Sequence, residues 1–420
     1  MLGGLTVGGT PAVSAAAPPT TVRISLDSAG GQATEYRSEP FAASADGRYV
    51  AFTSAAPNLV PDDTNGTWDV LVRDRRTGVT SSVSRSTTGV VGDSSSHGQS
   101  LSPDGRYVSF TSDATNLAPD DTNGASDGFV HDRRTGRTSR VTLTDGDAQA
   151  DARSYAPAIS ADARFVAFVS DAANLVPGDT NGVADVFLRD RRAGATVRVS
   201  GPNADAPSDA PTISADGRYV AFTSEAALVP GDTNGVADVY VRDLRTGSLR
   251  RVSVSTTGAQ ADALTVSPSI SADGRYVAFT SEAALVPGDS NGVADVFVRD
   301  LRAGTTVRAS LTADGGQATG GSSYGPMVSA DGRHVVFTSD ATDLVPADGN
   351  GVADVFVRDL RAGTTVRASL AADGGQGDDG SYSGVVTRDG SHVAFASAAT
   401  NLVPGDTNGV TDVFLRHMPR

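Results

Sequence analysis

The chain repeats itself seven times, and this internal repeat restricts its fold more than any other feature. The phrase SADGRYVAFTS begins at Ser44, and each relative of it places an aspartate at the same point. These aspartates are Asp46, Asp104, Asp162, Asp216, Asp273, Asp331 and Asp389, at intervals of 58, 58, 54, 57, 58 and 58 residues. A period of this length, with strand-like sequence in each copy, is typical of β-propeller blades.

One copy of the repeat contains four predicted strands. Residues 156–160 form strand a, residues 164–170 strand b, residues 185–190 strand c and residues 195–200 strand d. Strand b is rich in β-branched and aromatic residues, and in most copies the turn before it is Asp-Gly, a strong hairpin signal. The predicted fold class is therefore all-β, a seven-bladed β-propeller with four antiparallel strands per blade.

The two ends of the chain complement each other. The seventh copy ends at DVFLRHMPR, which supplies strands a, b and c but no strand d. The segment TTVRISL at 20–26 matches the strand d sequence TTVRASL at 305–311 and 364–370. We therefore expect the N-terminal strand to complete the last blade, which pairs an edge that would otherwise be exposed. This closure predicts one propeller domain over residues 20–420.

Residues 1–19 differ from the rest of the chain. They are small and apolar and then Pro-rich, and Ala15-Ala16-Ala17 resembles a signal-peptide cleavage site, although a positively charged start is missing. We interpret this segment as a signal-peptide remnant or a disordered tail. The first alternative predicts a secreted, periplasmic or cell-envelope protein. No later segment approaches the roughly 18 consecutive apolar residues of a membrane span.

The repeat also resembles a known family. The pattern P-x-I-S-x-D-G-R-x-V-A-F-x-S followed by D-V-F-V-R-D is similar to the TolB-like, or WD40-like (PD40-type), propeller repeat over roughly residues 20–420. The resemblance implies the propeller fold. It restricts function less, because such propellers include protein-binding platforms of the bacterial envelope, lyases and accessory domains of serine peptidases.

The charge of the chain excludes some partners. The net charge is −15, all 34 basic residues are Arg, and nearly all acidic residues are Asp. An acidic protein of this kind is a poor general binder of nucleic acid, which requires a basic face, but it is a reasonable binder of cations. The chain has no Cys, which excludes disulfides and thiolate catalysis.

Each copy carries an Asp-x-Asn-Gly-x-x-Asp loop between strands b and c. The alternation of antiparallel strands places the b–c and d–a loops on one rim, which is predicted to be acidic, and the a–b and c–d turns on an Arg-rich opposite rim. The b–c loop resembles the calcium loops of integrin α-chain propellers, which implies calcium ligands at Asp63, Asn65, Asp69, Asp121, Asn123, Asp127, Asp179, Asn181, Asp185, Asp232, Asn234, Asp238, Asp289, Asn291, Asp295, Asp348, Asn350, Asp354, Asp406, Asn408 and Asp412. The first ligand position of that pattern is Pro in every copy. The alternative is that Asp and Asn close the loop as turn formers without a metal.

No catalytic residue and no organic cofactor site is predicted. The histidines are His97, His131, His334, His392 and His417, and they contain no His-x-x-x-His pair. His334 and His392 occupy the aromatic position of strand b, whereas His97 precedes strand a and could face the channel. The segment GSSYG at 321–325 matches Gly-x-Ser-x-Gly, but a nucleophile elbow requires a strand-to-helix turn, and Ser323 is predicted in a d–a loop.

These features favour a non-catalytic propeller that binds an envelope or extracellular protein or glycan, as a monomer, through one rim. The d–a loops support this hypothesis because they vary among the copies, and variable loops on a rigid scaffold often carry recognition. The alternative is a metal-dependent polysaccharide lyase or hydrolase that uses the acidic rim. A channel-facing trio of carboxylate or His side chains would favour this alternative, and a channel lined by Ser, Ala and Pro would count against it.

Overall fold

The computed structural model describes residues 20–202 and 204–418, and the regular elements in these ranges are 28 β-strands. They form seven separate four-stranded antiparallel sheets, which are the blades of a propeller. The predicted fold class is confirmed. No element in this part of the chain is a helix long and apolar enough to cross a membrane. Residues 1–19, for which a signal-peptide remnant or a tail is predicted, lie outside the described residues.

The strands occupy four positions in each blade, from the central channel to the outer edge. The innermost strands, a, are β2 (Ser38–Ala43), β6 (Ser96–Leu101), β10 (Ser154–Ile159), β14 (Ser208–Ile213), β18 (Thr265–Ile270), β22 (Ser323–Val328) and β26 (Ser381–Val386). The b strands are β3 (Tyr49–Ser54), β7 (Tyr107–Ser112), β11 (Phe165–Ser170), β15 (Tyr219–Ser224), β19 (Tyr276–Ser281), β23 (His334–Ser339) and β27 (His392–Ser397). The c strands are β4 (Asp69–Asp74), β8 (Asp127–Asp132), β12 (Asp185–Asp190), β16 (Asp238–Asp243), β20 (Asp295–Asp300), β24 (Asp354–Asp359) and β28 (Asp412–His417). The outermost strands, d, are β5 (Val79–Ser82), β9 (Arg137–Arg140), β13 (Ala195–Arg198), β17 (Leu249–Arg251), β21 (Thr305–Arg308), β25 (Thr364–Arg367) and, for the seventh blade, β1 (Thr21–Arg23).

The N-terminal strand closes the ring as predicted. β1 pairs antiparallel with β28, with Val22 opposite Leu415 and Arg23 opposite Phe414. The seventh sheet therefore has the order β1-β28-β27-β26, and strands from both ends of the described chain share one blade. Closure removes the free edge that β28 would otherwise present to solvent or to another chain.

The core lies between the middle strands of each blade and its neighbours. In six blades an aromatic residue of strand b stacks on one of strand c, with ring centroids 5.6–6.0 Å apart. Offset stacking of this kind adds to the gain from apolar burial. Blade 1 differs, because Phe52 there lies opposite Leu71 instead of a second aromatic residue.

The innermost strands carry a bulge that the repeat pattern did not predict. In β10 the register with β11 shifts between Tyr155 and Ala158, so strand a begins two residues earlier than expected. Ala156 in this bulge has φ 53°, in the left-handed region that a non-Gly residue rarely adopts. Ala210, Ser267 and Ser383 share this conformation in other blades. Bulges often re-aim side chains at barrel rims and beside functional sites.

Candidate functional site

The seven b–c loops are closed by their asparagines. In blade 1 Asn65 Nδ2 donates to Asp69 Oδ2 at 3.3 Å and to the Gly92 carbonyl at 2.9 Å, while Asn65 Oδ1 accepts the Thr67 amide at 2.9 Å. The other asparagines bind in the same way, at Asn123, Asn181, Asn234, Asn291, Asn350 and Asn408. Each Asn thus ties its loop to the following d–a loop, which is the behaviour expected of a turn former.

In six blades an arginine from strand d lies between the two aspartates of the loop. Arg308, for example, contacts Asp289 Oδ1 at 3.0 Å and Asp295 Oδ2 at 3.1 Å. The same contacts, between 2.8 and 3.6 Å, join Arg23 to Asp406 and Asp412, Arg140 to Asp121 and Asp127, Arg198 to Asp179 and Asp185, Arg251 to Asp232 and Asp238, and Arg367 to Asp348 and Asp354. The guanidinium supplies the positive charge that these carboxylates need. Calcium binding by the ligands assigned in these six loops stays a prediction, and the rim is less acidic than its sequence indicates.

Blade 1 lacks this arginine. Ser82 occupies the position, because it pairs with Leu71 just as Arg308 pairs with Phe297. Asp69 is 1% exposed, and burial raises the pKa of its carboxyl to about 6. Burial also raises the pKa of Asp63. The blade 1 loop therefore holds two partly or fully buried carboxylates without a guanidinium between them.

The opposite rim is Arg-rich, and ion pairs neutralise part of its charge. Each DGR arginine forms an ion pair with the aspartate that ends strand c, as in Arg48 with Asp74 at 2.7 Å. The equivalent pairs are Arg106–Asp132, Arg164–Asp190, Arg218–Asp243, Arg275–Asp300 and Arg333–Asp359. The hydrogen bond from Arg48 lowers the pKa of Asp74 to about 2, so the pair stays charged over the physiological pH range.

The walls of the central channel are uncharged and mostly apolar. A cavity of about 410 Å³ is lined by residues of all seven innermost strands, including Phe41, Ile159, Pro211, Met327 and Val385. Its lining contains no carboxylate or histidine, so the channel-facing trio that would have favoured the polysaccharide-cleaving alternative does not lie within the channel.

Polar groups gather instead at one mouth of the channel, on the rim that carries the b–c loops. We define the channel mouth by the second residue of each innermost strand. These residues are Glu39, His97, Tyr155, Asp209, Val266, Tyr324 and Tyr382. Blades 1–4 supply a carboxylate, an imidazole, a phenol and a second carboxylate in succession, and this arc of the mouth is the candidate site.

The single Trp of the chain organises the first part of the arc. The His97 ring lies 5.9 Å from the Trp68 ring, and the Arg37 guanidinium lies 5.4 Å from the same ring. Arg37 also contacts Glu39 at 3.0 Å and remains 60% exposed at its side chain. His97 is exposed. Trp68 thus contacts both a cation and an imidazole, and both are accessible from solvent.

The next blade adds a phenol and a second cation. The Arg153 guanidinium lies 5.2 Å from the Tyr155 ring and forms an ion pair with Asp171. Burial raises the pKa of Tyr155 to about 12, and the nearby carboxylates of Asp209 and Asp171 add to this shift. Tyr155 therefore stays protonated at neutral pH and can donate a proton or a hydrogen bond. The sequence pattern missed this arc, apart from His97, because its residues differ between copies.

The remaining histidines are structural. His131 is 7% exposed, lies 2.9 Å from Thr138 Oγ1, and has a pKa lowered to about 4 by burial. His392 packs edge-on against His417, with ring centroids 5.0 Å apart, and burial lowers the His392 pKa to about 4. Burial also lowers the pKa of His334.

Ser323 of the Gly-x-Ser-x-Gly match is not a nucleophile in this structure. It is the first residue of β22 and not part of a loop, it is 1% exposed, and its hydroxyl lies 2.9 Å from Ser339 Oγ. No strand-to-helix turn follows it within the described residues.

Comparison with known proteins places the fold. No protein-family model matches the chain, and no curated protein matches its sequence. An oligogalacturonate lyase solved in complex with manganese is 15% identical, with 96% of this chain and 97% of that one covered and a TM-score of 0.56. An oligogalacturonate lyase from Vibrio parahaemolyticus is 12% identical, with 96% and 98% covered and a TM-score of 0.57. TolB from Acinetobacter baumannii is 15% identical, with 90% and 82% covered and a TM-score of 0.41.

Fold and site together define a seven-bladed propeller with an uncharged, mostly apolar channel and a polar, aromatic mouth. The propeller fold implied by the resemblance of its repeat to the TolB-like propellers is confirmed by its seven four-stranded sheets. At this level of identity the likeness establishes the architecture alone.

The predicted non-catalytic binding scaffold is contradicted by these comparisons. Two solved structures that match almost the whole chain, and that are almost wholly matched by it, are lyases. The prediction depended on the variable d–a loops and on histidines that are scattered along the sequence. Neither feature excludes an enzyme.

A metal is compatible with the fold, since one matching lyase was solved with manganese. The described residues of this chain, however, bring together no group of three or more His, Cys, Asp or Glu side chains that could hold a metal ion. The residues present do not fit a catalytic metal centre. The reaction proposed below therefore uses the protein's own side chains.

Proposed function

We propose that the protein is a polysaccharide-cleaving enzyme that splits an acidic, uronate-containing glycan by β-elimination at the channel mouth. The observation that carries the proposal is the arc of Arg37, His97, Arg153 and Tyr155 on three successive blades. The full-length likeness to lyases supports it, and the uncharged, mostly apolar channel directs the chemistry to the mouth.

The two exposed arginines suit the binding of a uronate. Arg37 and Arg153 each already contact one carboxylate, Glu39 and Asp171 respectively, and both arginine side chains remain about 60% exposed. A planar guanidinium can bind a carboxylate through two parallel hydrogen bonds, which fixes the orientation of the sugar. Neutralising the uronate carboxylate also makes the neighbouring C5 proton easier to remove.

His97 and Tyr155 suit the two proton transfers of an elimination. In its neutral form the His97 imidazole takes the C5 proton, and the electron pair forms the C4–C5 double bond as the C4–O4 bond breaks. The protonated phenol of Tyr155 donates its proton to the departing O4, and solvent then restores both groups. Trp68 positions His97 and Arg37 and touches neither reacting bond.

Product analysis with a panel of polymers tests the proposal. The purified protein is incubated with polygalacturonate, alginate and a neutral glucan, and products are followed by ultraviolet absorbance and mass spectrometry. We expect unsaturated uronates, whose formation adds no water, from an acidic polymer and none from the glucan. Saturated fragments that have gained one water per cleaved bond would show that the enzyme is a hydrolase and would contradict elimination. Uronate polymers that remain intact would contradict the whole proposal.

The setting of the enzyme follows from its substrate. We propose that the protein acts outside the cytoplasm, in the periplasm or after secretion, because a polymeric uronate is encountered there. We also propose that it acts as a monomer. The signal-peptide interpretation of residues 1–19 supports this location. Cell fractionation combined with N-terminal sequencing of the mature protein tests it, and a cytoplasmic protein that retains Met1 would contradict it. We propose that any structural metal of the protein is calcium, because extracellular modules bind calcium at millimolar concentrations.

A further inference from the structure

We propose that the b–c loop of blade 1 binds one divalent cation, Ca²⁺, between the carboxylates of Asp63 and Asp69. This cation replaces the arginine that the other six blades build in at the same place. The inference does not depend on the proposed enzymatic activity.

Six copies of the loop show what this pair of carboxylates binds. Wherever strand d supplies an arginine, its guanidinium contacts both aspartates at 2.8–3.6 Å, and the arginine side chain is only 4–10% exposed. Two carboxylates this close and this buried repel each other and lose hydration, so a cation between them is strongly favoured. The same residues thus bind a cation in every blade except one.

Blade 1 keeps the carboxylates and lacks the internal cation. Ser82 has the backbone register of the missing arginine, and its short hydroxyl lies 3.2 Å from Ser84 Oγ. The nearby Arg85 attracts both carboxylates through space, but it forms its ion pair with Asp62, with a distance of 2.6 Å from Nη2 to Oδ1.

Asp63 Oδ1 is buried and has no hydrogen-bond partner. The equivalent oxygens of Asp121 and Asp348 also lack a hydrogen bond, but those two aspartates form ion pairs with Arg140 and Arg367. Blade 1 has no such arginine, so the buried oxygen of Asp63 points to a cation that strand d does not provide.

The available oxygens suit calcium at low affinity. Asp63 and Asp69 supply two carboxylates and Ser82 a hydroxyl, and loop carbonyls and water complete the six to eight oxygens that Ca²⁺ takes. Asn65 is not a ligand in this arrangement, because its Oδ1 accepts the Thr67 amide and its Nδ2 donates to Asp69 and Gly92. With only two carboxylates the site is expected to have a Kd of about 10⁻⁴ to 10⁻³ M, as in extracellular modules.

The test compares three full-length proteins in EDTA and in millimolar CaCl₂ at constant ionic strength. Calcium is expected to raise the Tm of the wild type. Ser82→Arg restores the internal guanidinium, so it is expected to have a higher Tm in EDTA than the wild type and no response to calcium. Ser81→Arg is the matched control, since it adds the same charge one residue away on the opposite face of β5, and it should keep the calcium response.

A direct readout uses terbium as a calcium substitute. Trp68, the only Trp, directly precedes Asp69 and can sensitise Tb³⁺ luminescence. We expect calcium-competed luminescence from wild type and Ser81→Arg, and at least a tenfold weaker signal from Ser82→Arg. The proposal is overturned if the wild type responds to neither ion, or if Ser82→Arg responds as the wild type does.

Discussion

At the residue scale, the arginine that ends strand d neutralises two buried aspartates in six of the seven blades. Arg367 is 4% exposed at its side chain and lies between Asp348 and Asp354, which are equally buried. Removing one member of a buried ion pair leaves charges that are neither paired nor hydrated. The arginine is visible in the sequence at the end of the TTVR segment that precedes the d–a loop. Its ion pairs with the two aspartates were not predicted, because the arginine and the aspartates are far apart along the chain.

Replacing this arginine should therefore be costly. We expect Arg367→Met to lower the free energy of unfolding by about 3–5 kcal/mol, because Asp348 and Asp354 lose their counterion. Arg361→Met, six residues earlier and exposed, is the matched control and should stay within about 0.5 kcal/mol of the wild type. Urea unfolding measures both variants, and equal effects would show that the buried pair is not important for stability.

At the scale of the element, strand c carries a second cationic contact that joins neighbouring blades. Its fifth residue is Arg in six blades, and Arg189, for example, donates to the Thr144 carbonyl of the preceding blade at 2.8 Å. Blade 2 carries His131 there, which binds Thr138 of its own blade.

A groove of about 940 Å³ opens between the d–a loops of blades 1 and 2, lined by residues that include Thr87 and Arg137.

His131 should make stability depend on pH. Its pKa is lowered to about 4 by burial, with Arg133 and Arg85 adding to the shift, whereas in the unfolded chain it is near 6.5. The unfolded chain therefore takes up the proton first. This contribution to stability is fully present above pH 6.5 and is lost as the pH falls through 4, by about 3 kcal/mol at most.

A histidine-free variant of this position isolates the effect. His131→Gln should lose less stability than the wild type between pH 6.5 and 4 in thermal or urea unfolding. His97→Gln, which changes an exposed histidine, should lose as much stability over this pH range as the wild type does. Identical slopes for His131→Gln and the wild type would mean that His131 does not titrate in this window, and His392 would become the leading source of any loss.

Strand positions were predictable from sequence, but the functional arc was not. The period, the Asp-Gly turns and the β-branched runs fix the four strands, since they repeat and are local. The bulge of strand a escaped prediction because it depends on packing around the channel and has no turn residue of its own. Trp68, Tyr155 and Arg153 escaped because a site built from different residues on successive blades leaves no repeated signal. His97 alone was noted, from its place before strand a.

At the scale of the whole molecule, the ring is held closed by one short strand. β1 contributes its hydrogen bonds to β28, and Arg23 also contacts Asp406 and Asp412 of the seventh blade. The prediction of closure from the matched ends is confirmed, because strand d was missing at one end and present at the other. Closure fixes the arrangement of all seven mouth residues, and so the site depends on it.

Removing the closing strand should weaken the entire propeller. We expect deletion of residues 1–26 to lower the free energy of unfolding by at least about 3 kcal/mol, because a buried ion pair is broken and an edge strand is exposed. Deletion of residues 1–19 alone leaves β1 in place and should have no effect. Unfolding curves and light scattering compare the two truncations, and equal stability would contradict closure by β1.

The central claim is that the mouth cleaves an acidic glycan, and the turnover of His97→Gln on the best uronate polymer tests it most directly. The account predicts that this variant retains the wild-type fold and binds the polymer within about threefold of the wild type, while kcat falls by about 10²–10⁴-fold through loss of the base. Wild-type turnover by His97→Gln would contradict the account, because the imidazole that Trp68 holds at the mouth would then take no part in the reaction.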